Sequence, residues 1–288
     1  QIGARVVVVD MGVAADIAGR RNVNPYYVRK EHFDRHFLTR YFGGSDGGNL
    51  YRGVDPQSGV GTGDLSYRGT SAASYAQVYE KRTNKDENDY TDIIELTRIL
   101  NETPAEEYVQ AVEAALDADE WVRYFAAELV LSNQDGQIAT SAGEDYRLYR
   151  RFSDGRWVIL PLDTNEVMYT NPAPYFFRMT SAAVLRFLRH PAFMTRYFGA
   201  IREQLDGPFT LQAMTPCIDA VRPWFDDAPF DYMVETFIPE SQRLFRARLV
   251  PDRLTIEVSA GSRTLVGAGA AWRFFRGDEE PPAAWAER

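Results

Sequence analysis

Three acids fall within one short stretch, "LSNQDGQIATSAGEDYRLYRRFSDGRWVILPLDTN" at residues 131–165: Asp135, Asp145 and Asp163. Carboxylates gathered at one edge hold hard cations, and Mg²⁺ commonly takes one or two of them together with phosphate oxygens and water. Whether these three gather depends on the hairpin between them. "YRLYRRF" and "RWVILPL" read as strands flanking Ser153, Asp154, Gly155 and Arg156. Asp-Gly is a preferred pair for a two-residue type I′ turn, in which both central residues need positive φ. Such a turn pairs Ser153 with Arg156, setting Asp163 opposite Tyr146 and beside the level of Asp145. Asp135 ends a helical run ahead of a polar loop and can approach the same end. Each acid also has an ordinary role open to it: Asp163 can cap the turn that follows, and Asp135 can simply end its helix. Asp163 closes the apolar run "WVILPL", so its carboxylate would emerge from a rigid, buried support.

The elements around this stretch can be read from periodicity. "ARVVVVD" at 4–10 reads as a buried strand, and Phe33, Phe37, Leu38 and Tyr41 recur at helical spacing before a double glycine. "NLYRG", "LSYRG" and "SYAQVYEKRTN" are strand candidates, followed by a helix with Ile93, Ile94, Leu96, Ile99 and Leu100 on its apolar face. Two more helices open at Thr103 and Asp117, the first with Pro104 at its first position and Glu106 at its third. Residues 182–249 are helical in pattern, with breaks near Gly207-Pro208 and at Pro223. Strand character begins at 253 and gives way to a Pro-rich, linker-like end; no internal repeat is present.

The chain of 288 residues is long enough for a sizeable core, and 45% apolar with 13% aromatic residues makes it globular. A net charge of −9 argues against broad binding to nucleic acid or an anionic membrane. Cys217 stands alone, which excludes an internal disulfide framework and argues against a thiolate metal site; it reads as a small core residue. No apolar run reaches the roughly 20 residues of a membrane span, and the first ten residues lack the features of a signal peptide. A first residue of Gln suggests a fragment or processed product.

Other patterns are weaker. His32 and His36 have a zinc-compatible spacing, but "HFDRH" lacks the Glu of a zinc-protease helix, and they read as a solvated or packed pair. His190 precedes Pro191 and reads as a helix cap. "GGSDGGNLYRGVDPQSGVGTG" lacks the Gly-Lys-Ser/Thr ending of a phosphate loop, so its glycines read as a flexible turn. Tyr124, Phe125, Tyr146, Tyr149 and Trp157 read as core.

Several pieces, in order, resemble the CotH family of atypical, spore-coat-type protein kinases. "YVRKEHFDRHFL" resembles the family's Tyr-x-x-x-Glu-x-x-Asp segment through Tyr27, Glu31 and Asp34; "GGNLYRG" resembles Gly-Asn-Leu-Tyr-Lys; "YEKRTN" resembles Tyr-x-x-Lys-Thr-Asn. "LSNQDG", "EDYRLYR" and "ILPLDTN" resemble Asn-x-Asp-Gly, His-Asn-Tyr-Tyr-Leu-Tyr and Pro-Trp-Asp-x-Asp. The resemblance runs from about residue 24 to 170, and more loosely through the later helices. It implies an α+β, kinase-like fold with a partial small β lobe and a larger helical lobe carrying a catalytic hairpin. Residues 1–250 would form the kinase-like domain and 251–288 the start of a C-terminal β module or linker. It further implies ATP, Mg²⁺ or Mn²⁺, a Ser/Thr-containing protein substrate, and a bacterial surface or secreted setting.

Carried over by position, the resemblance makes Asp135 the catalytic residue that orients the hydroxyl or accepts its proton, and Asp163 a ligand of the Mg²⁺ that bridges the nucleotide phosphates. Asp145 and Asn165 stand at further metal positions. Glu31 would partner a phosphate-contacting cation, Arg82 or Arg52.

The departures bear on activity. Arg52 and Arg82 replace Lys, keeping charge but changing geometry. Glu144-Asp145 replaces His-Asn, Asn165 replaces the second Asp, and Leu162 replaces Trp. A Lys-containing strand of the family would precede residue 1. The alternatives to a kinase are therefore a catalytically silent binding or surface module on the same fold and a metal-dependent phosphoesterase.

Overall fold

The computed structural model describes residues 7–10, 26–29, 32–43, 47–54, 62–133, 138, 145–162, 164, 167–168, 179–224 and 229–248. The chain divides into two units, Gln1–Thr255 and Ile256–Arg288, and the described residues all lie in the first. The strand character expected from 253 onward falls outside them.

Two strands, β1 (Val7–Asp10) and β2 (Tyr26–Arg29), pair antiparallel. Helix α1 (Arg35–Phe42) follows and leads to β3 (Asn49–Gly53), the short α2 (Ala72–Ala76) and β4 (Tyr79–Lys81). Three helices come next, α3 (Thr91–Glu102), α4 (Ala105–Ala115) and α5 (Ala118–Leu131). The hairpin β5 (Tyr146–Arg150) and β6 (Trp157–Pro161) precedes α6 (Ala182–Arg189), α7 (Pro191–Asp206) and α8 (Leu211–Val221). Helix α9 (Phe230–Tyr232) runs through a π turn into α10 (Ile238–Arg248). The architecture is α+β, built around an antiparallel sheet of order β4-β3-β5-β6.

Both faces of this sheet are covered, which is why β5 and β6 read as nearly unbroken buried runs. Side chains alternate between the faces. Tyr51, Tyr79, Tyr146, Leu148, Trp157 and Ile159 enter the main core with the helices. Leu50, Tyr149, Val158 and Leu160 meet Phe37 and Leu38 of α1 on the other face. Fully burying such a side chain contributes about 1.5–3 kcal/mol, and with Phe33, Tyr41 and Phe42 packed around them these anchors help hold an eight-residue helix that would be marginal alone. Asp34 caps α1 by accepting the Phe37 N–H at 3.0 Å, and Gly43 ends it at φ +66°.

Hydrogen bonds join the sheet to the helices. The Trp157 carbonyl accepts the Asp117 N–H at 3.0 Å and the Trp121 indole N–H at 2.9 Å. Tyr51 donates its hydroxyl to Asp92, at the start of α3, at 2.7 Å. At the other end of α3, the Arg186 guanidinium donates to the Asn101 carbonyl at 2.6 Å and to the Thr103 carbonyl, satisfying groups that a helix C-terminus leaves open.

The hairpin register differs from the sequence expectation. Tyr146 pairs with Pro161, not Asp163, and Arg150 pairs with Trp157. Arg151 and Arg156 close a four-residue loop through an Arg151 N–H to Arg156 carbonyl bond of 2.9 Å. Gly155 adopts φ +69° but Asp154 does not have positive φ, so the type I′ turn is absent. The reason lies in Asp154: its carboxylate accepts the Arg156 N–H at 3.1 Å and the guanidiniums of Arg151 and Arg156. This local bonding competes with the tighter turn. The slide is of two residues, so it leaves unchanged the face on which each side chain falls.

Other expectations are also revised. "LSYRG" is not a strand; Leu65 has φ +65° and gives its N–H to the Tyr79 hydroxyl at 2.9 Å in place of a ladder partner. "SYAQVYEKRTN" divides into α2 and a three-residue β4. Helix α4 begins at Ala105, one residue after Pro104, and Thr103 makes no side-chain cap, whereas Asp117 caps α5 through the Glu120 N–H. Gly48 marks a close approach and not a flexible turn, since a Cβ there would stand 2.5 Å from the Arg150 carbonyl and the Tyr149 ring. Cys217 is exposed on α8, not in the core. His190 does cap α7, and Tyr124, Phe125, Tyr146, Tyr149 and Trp157 are core. Among the described residues no helix is long and apolar enough to cross a membrane.

Candidate functional site

Three pieces of chain meet beside the sheet. Helix α5 ends at Ser132, which adopts φ 49°, and Ser132 and Asn133 return their N–H groups to the carbonyls of Leu129 and Glu128 at 3.0 Å. Met168 donates its N–H to the Leu131 carbonyl at 2.9 Å, so the chain leaving β6 comes back to this helix end. Leu162 donates its N–H to the Asp145 carbonyl at 2.9 Å, joining the entry of β5 to the exit of β6. Asn133, just past the helix end, is buried, as is Ile138.

Asp145 and Glu128 sense each other across it. Burial pushes the Glu128 carboxyl up to about 8, the Asn133 side chain opposes that by hydrogen bonding, and the Asp145 charge adds to it. The Oε2 atom of Glu128 is shut off from water and has no hydrogen-bond partner among the described residues. Glu128 was not singled out from sequence. The signal was its helical spacing from Trp121 and Phe125, both buried, which puts an acid on an apolar stripe.

The same end of the sheet carries a basic cluster. Arg52 of β3 lies directly opposite Arg147 of β5 on one side and Glu80 of β4 on the other. Arg82, just past β4, reaches back to Glu80 at 2.6 Å. Arg147 is 8% exposed and donates Nη1–H to the Tyr146 carbonyl at 2.8 Å. Burial, then the charges of Arg52 and Arg82, bring its guanidinium down to about 10, while Glu80 and Asp145 act in the opposite sense. Arg147 therefore sits among Arg52, Arg82, Glu80 and Asp145.

Strand alternation explains the sorting of "YEKRTN". Lys81 turns to the core face, where its ammonium donates to the Asp89 carbonyl at 2.9 Å, while Arg82 joins the cluster. Thr83 accepts the Leu50 N–H and donates to the Gly48 carbonyl, both at 2.8 Å, and Asn84 bonds Asn49 at 2.8 Å. Thr83 and Asn84 thus fasten the segment carrying Arg82 to β3.

Of the residues expected from sequence to form a site, Arg52, Arg82 and Asp145 are brought to one place, around Arg147. Asp135, Asp163, Asn165 and Glu31 lie outside the described residues. Among the described residues no group of three His, Cys, Asp or Glu could hold a metal ion. Arg147 was overlooked because one Arg in "YRLYRRF" resembles any other until its strand partner is known.

The donor chemistry fits a phosphate chain. Guanidiniums present planar N–H forks that match phosphate oxygens in charge and geometry. Asp145 supplies a carboxylate near them, an oxygen donor of the type hard cations take.

Comparison with known proteins bears on this arrangement. Residues 26–225 match the CotH family, described as CotH kinase protein. The inner spore coat protein H of Bacillus subtilis (strain 168) is 25% identical over 150 residues, 50% of this chain and 40% of that relative. The matched stretch thus spans less than half of the relative's length. The family match takes in well over half of the chain, including all four strands of the sheet that carries Arg52, Arg147 and the Asp145 junction, and the chain belongs to the CotH family.

Proposed function

We propose that this chain is a protein kinase that transfers the γ-phosphoryl group of ATP, with Mg²⁺ or Mn²⁺, to a Ser or Thr hydroxyl of a protein. The observation that carries the reading is the gathering of Arg52, Arg82 and Arg147 with Asp145 beside the end of α5. The fold reading that goes with it is kinase-like, with a small β lobe and a larger helical lobe that carries the β5–β6 hairpin as its catalytic hairpin.

In this scheme the arginines neutralise the phosphate chain, and charge that gathers on the transferring group is stabilised without reorganisation. The substrate hydroxyl oxygen bonds to the γ-phosphorus, the bond to the ADP oxygen breaks, and Asp135 takes the hydroxyl proton. Asp163, Asp145 and Asn165 would hold the cation, and Glu31 would orient Arg82 or Arg52. The bound metal would supply charge neutralisation between the phosphate oxygens. The name of the Bacillus relative supports a spore-coat or other surface setting.

A second reading, a nucleotide-binding but catalytically silent module, is favoured by Arg52 and Arg82 standing where the family pattern has Lys. The test is transfer of radiolabelled phosphate from ATP to a Ser-rich protein acceptor with Mg²⁺ or Mn²⁺, using the full chain, Asp163→Ala and Asp135→Asn. Transfer that both variants abolish supports the kinase. Nucleotide binding without transfer selects the silent module. Absence of nucleotide binding removes both, and hydrolysis of simple phosphate esters in its place would identify a phosphoesterase.

A further inference from the structure

Arg147 is an expensive residue where it stands. It lies directly opposite Arg52 in the β3–β5 ladder, and like charges facing each other across a ladder destabilise the pair. It is 8% exposed, and its one hydrogen bond among the described residues uses Nη1–H on the neighbouring Tyr146 carbonyl. A guanidinium has five N–H donors. Among the described residues, no carboxylate lies within ion-pair distance of Arg147, whereas Arg82 has Glu80 at 2.6 Å. Glu80 and Asp145 offset part of the cost without reaching Arg147 as ion pairs, and for a cation that has lost most of its water and has a like charge as its strand neighbour, a bound anion would offset it further.

A packing role gives a different account of the same residue. The aliphatic stem of Arg147 can cover its other strand partner, Leu160. That role needs methylene groups and no charge, so the two accounts separate experimentally.

We propose that Arg147 is a phosphate-binding residue, completing with Arg52 and Arg82 a three-guanidinium cradle that selects a triphosphate chain over di- and monophosphate. The proposal rests on the nucleotide reading of the site and adds to it the residue that sets the preference for chain length. The third cation matters most to the ligand with most negative charge, so its removal should cost triphosphate binding most. The charge it adds also offsets the acid at position 145, beside which a phosphate chain would otherwise be repelled.

The experiment uses the full chain, Arg147→Met, which keeps the stem, and Arg147→Lys, which keeps a charge without the fork. Calorimetric titrations with Mg²⁺ present measure ATP, ADP, AMP and inorganic triphosphate, and thermal midpoints are recorded without ligand. Arg147→Met is expected to weaken ATP and inorganic triphosphate by about tenfold or more, the size of one lost charge-assisted contact. ADP should lose less, and the ATP-to-ADP preference should shrink, with Arg147→Lys in between. The midpoint of Arg147→Met without ligand should equal or exceed that of the parent, because a repelled cation has been removed.

If the parent binds ATP and Arg147→Met matches it in both affinity and ATP-to-ADP preference, the proposal is overturned while the nucleotide reading stands. A fall in the ligand-free midpoint with equal weakening of all four ligands would assign Arg147 to packing and also overturn it. If the parent binds inorganic triphosphate but not ATP, and Arg147→Met loses that binding, the cradle stands and the nucleotide reading fails. A parent that binds neither overturns both.

Discussion

Trp121 gives its indole N–H to the main-chain oxygen of Trp157 at 2.9 Å, and that same oxygen accepts the Asp117 N–H at 3.0 Å. One carbonyl at the start of β6 therefore fixes the hairpin to the beginning of α5, whose far end lies at the candidate site. Trp121 is 1% exposed, so both its ring and its donor matter. Trp121→Phe should lose about 1–2 kcal/mol, from the hydrogen bond and some ring volume, and Trp121→Ala about 3–5 kcal/mol. Urea unfolding measures both; equal losses would show that the hydrogen bond and the ring do not contribute separately.

The hairpin tip should be acid-sensitive through Asp154. Partial burial raises its carboxyl, but Arg151, the Arg156 N–H and the Arg156 side chain outweigh that and hold it down to about 2, against an ordinary 3.8. Between those values the unfolded chain binds more protons than the folded one. The contribution is therefore complete above pH 3.8 and lost as pH falls through about 2. The side chain is a third exposed, so solvent screening limits the effect to roughly 0.5–1 kcal/mol. Asp154→Asn should show that loss at pH 7 and almost none at pH 2 in denaturant titrations.

Glu128 has the opposite sign. Burial raises its carboxyl from 4.5 to about 8, so the folded protein binds more protons than the unfolded chain between these values. Its stabilising effect is present below pH 4.5 and is lost as pH rises through about 8. Glu128→Gln keeps a neutral side chain of the same size and should be more stable than the parent at pH 8 by roughly 1–3 kcal/mol. Near pH 4 the two should converge. Thermal unfolding across that range checks the crossing, and a parallel offset at every pH would contradict it.

Asp145 offers a test of the metal reading. Asp145→Asn removes one anionic oxygen donor and should raise the Mg²⁺ concentration for half-maximal ATP binding by about tenfold, hard cations being held chiefly by charged oxygens. Binding of metal-free inorganic triphosphate should hold or improve, because a carboxylate near the arginines has been neutralised. Titrating Mg²⁺ at fixed ATP measures the first, and calorimetry with chelator present the second.

What could be read from the chain before its structure follows from which forces are local. The helical faces of α3 and α5 and the Asp117 cap come from spacing and a neighbouring N–H, and both are written in consecutive residues. The α+β class came with the family resemblance and agrees with the observed sheet and helices. The hairpin register was not, because Asp154 bonds side chains on both flanks and so overrides the turn preference of the Asp-Gly pair. Arg147 was hidden because its meaning depends on Arg52, which reaches it only through the β3–β5 ladder. "LSYRG" failed as a strand because tyrosine hydroxyls from Tyr79 and Tyr75 take its N–H groups, a tertiary effect with no local sign.

The alternation of the sheet also constrains how the protein reaches its native state. Tyrosines and a tryptophan occupy one side of these strands, and arginines with a glutamate occupy part of the other. A pairing error of one residue during folding would drive guanidiniums in among the aromatic rings and be rejected at once. An error of two residues keeps each side chain on its own side and slides it by about 7 Å. Side-chain alternation alone does not discriminate against even-numbered slips. The four-residue loop, clasped by Arg151 and Arg156 on Asp154, stabilises the native register against them.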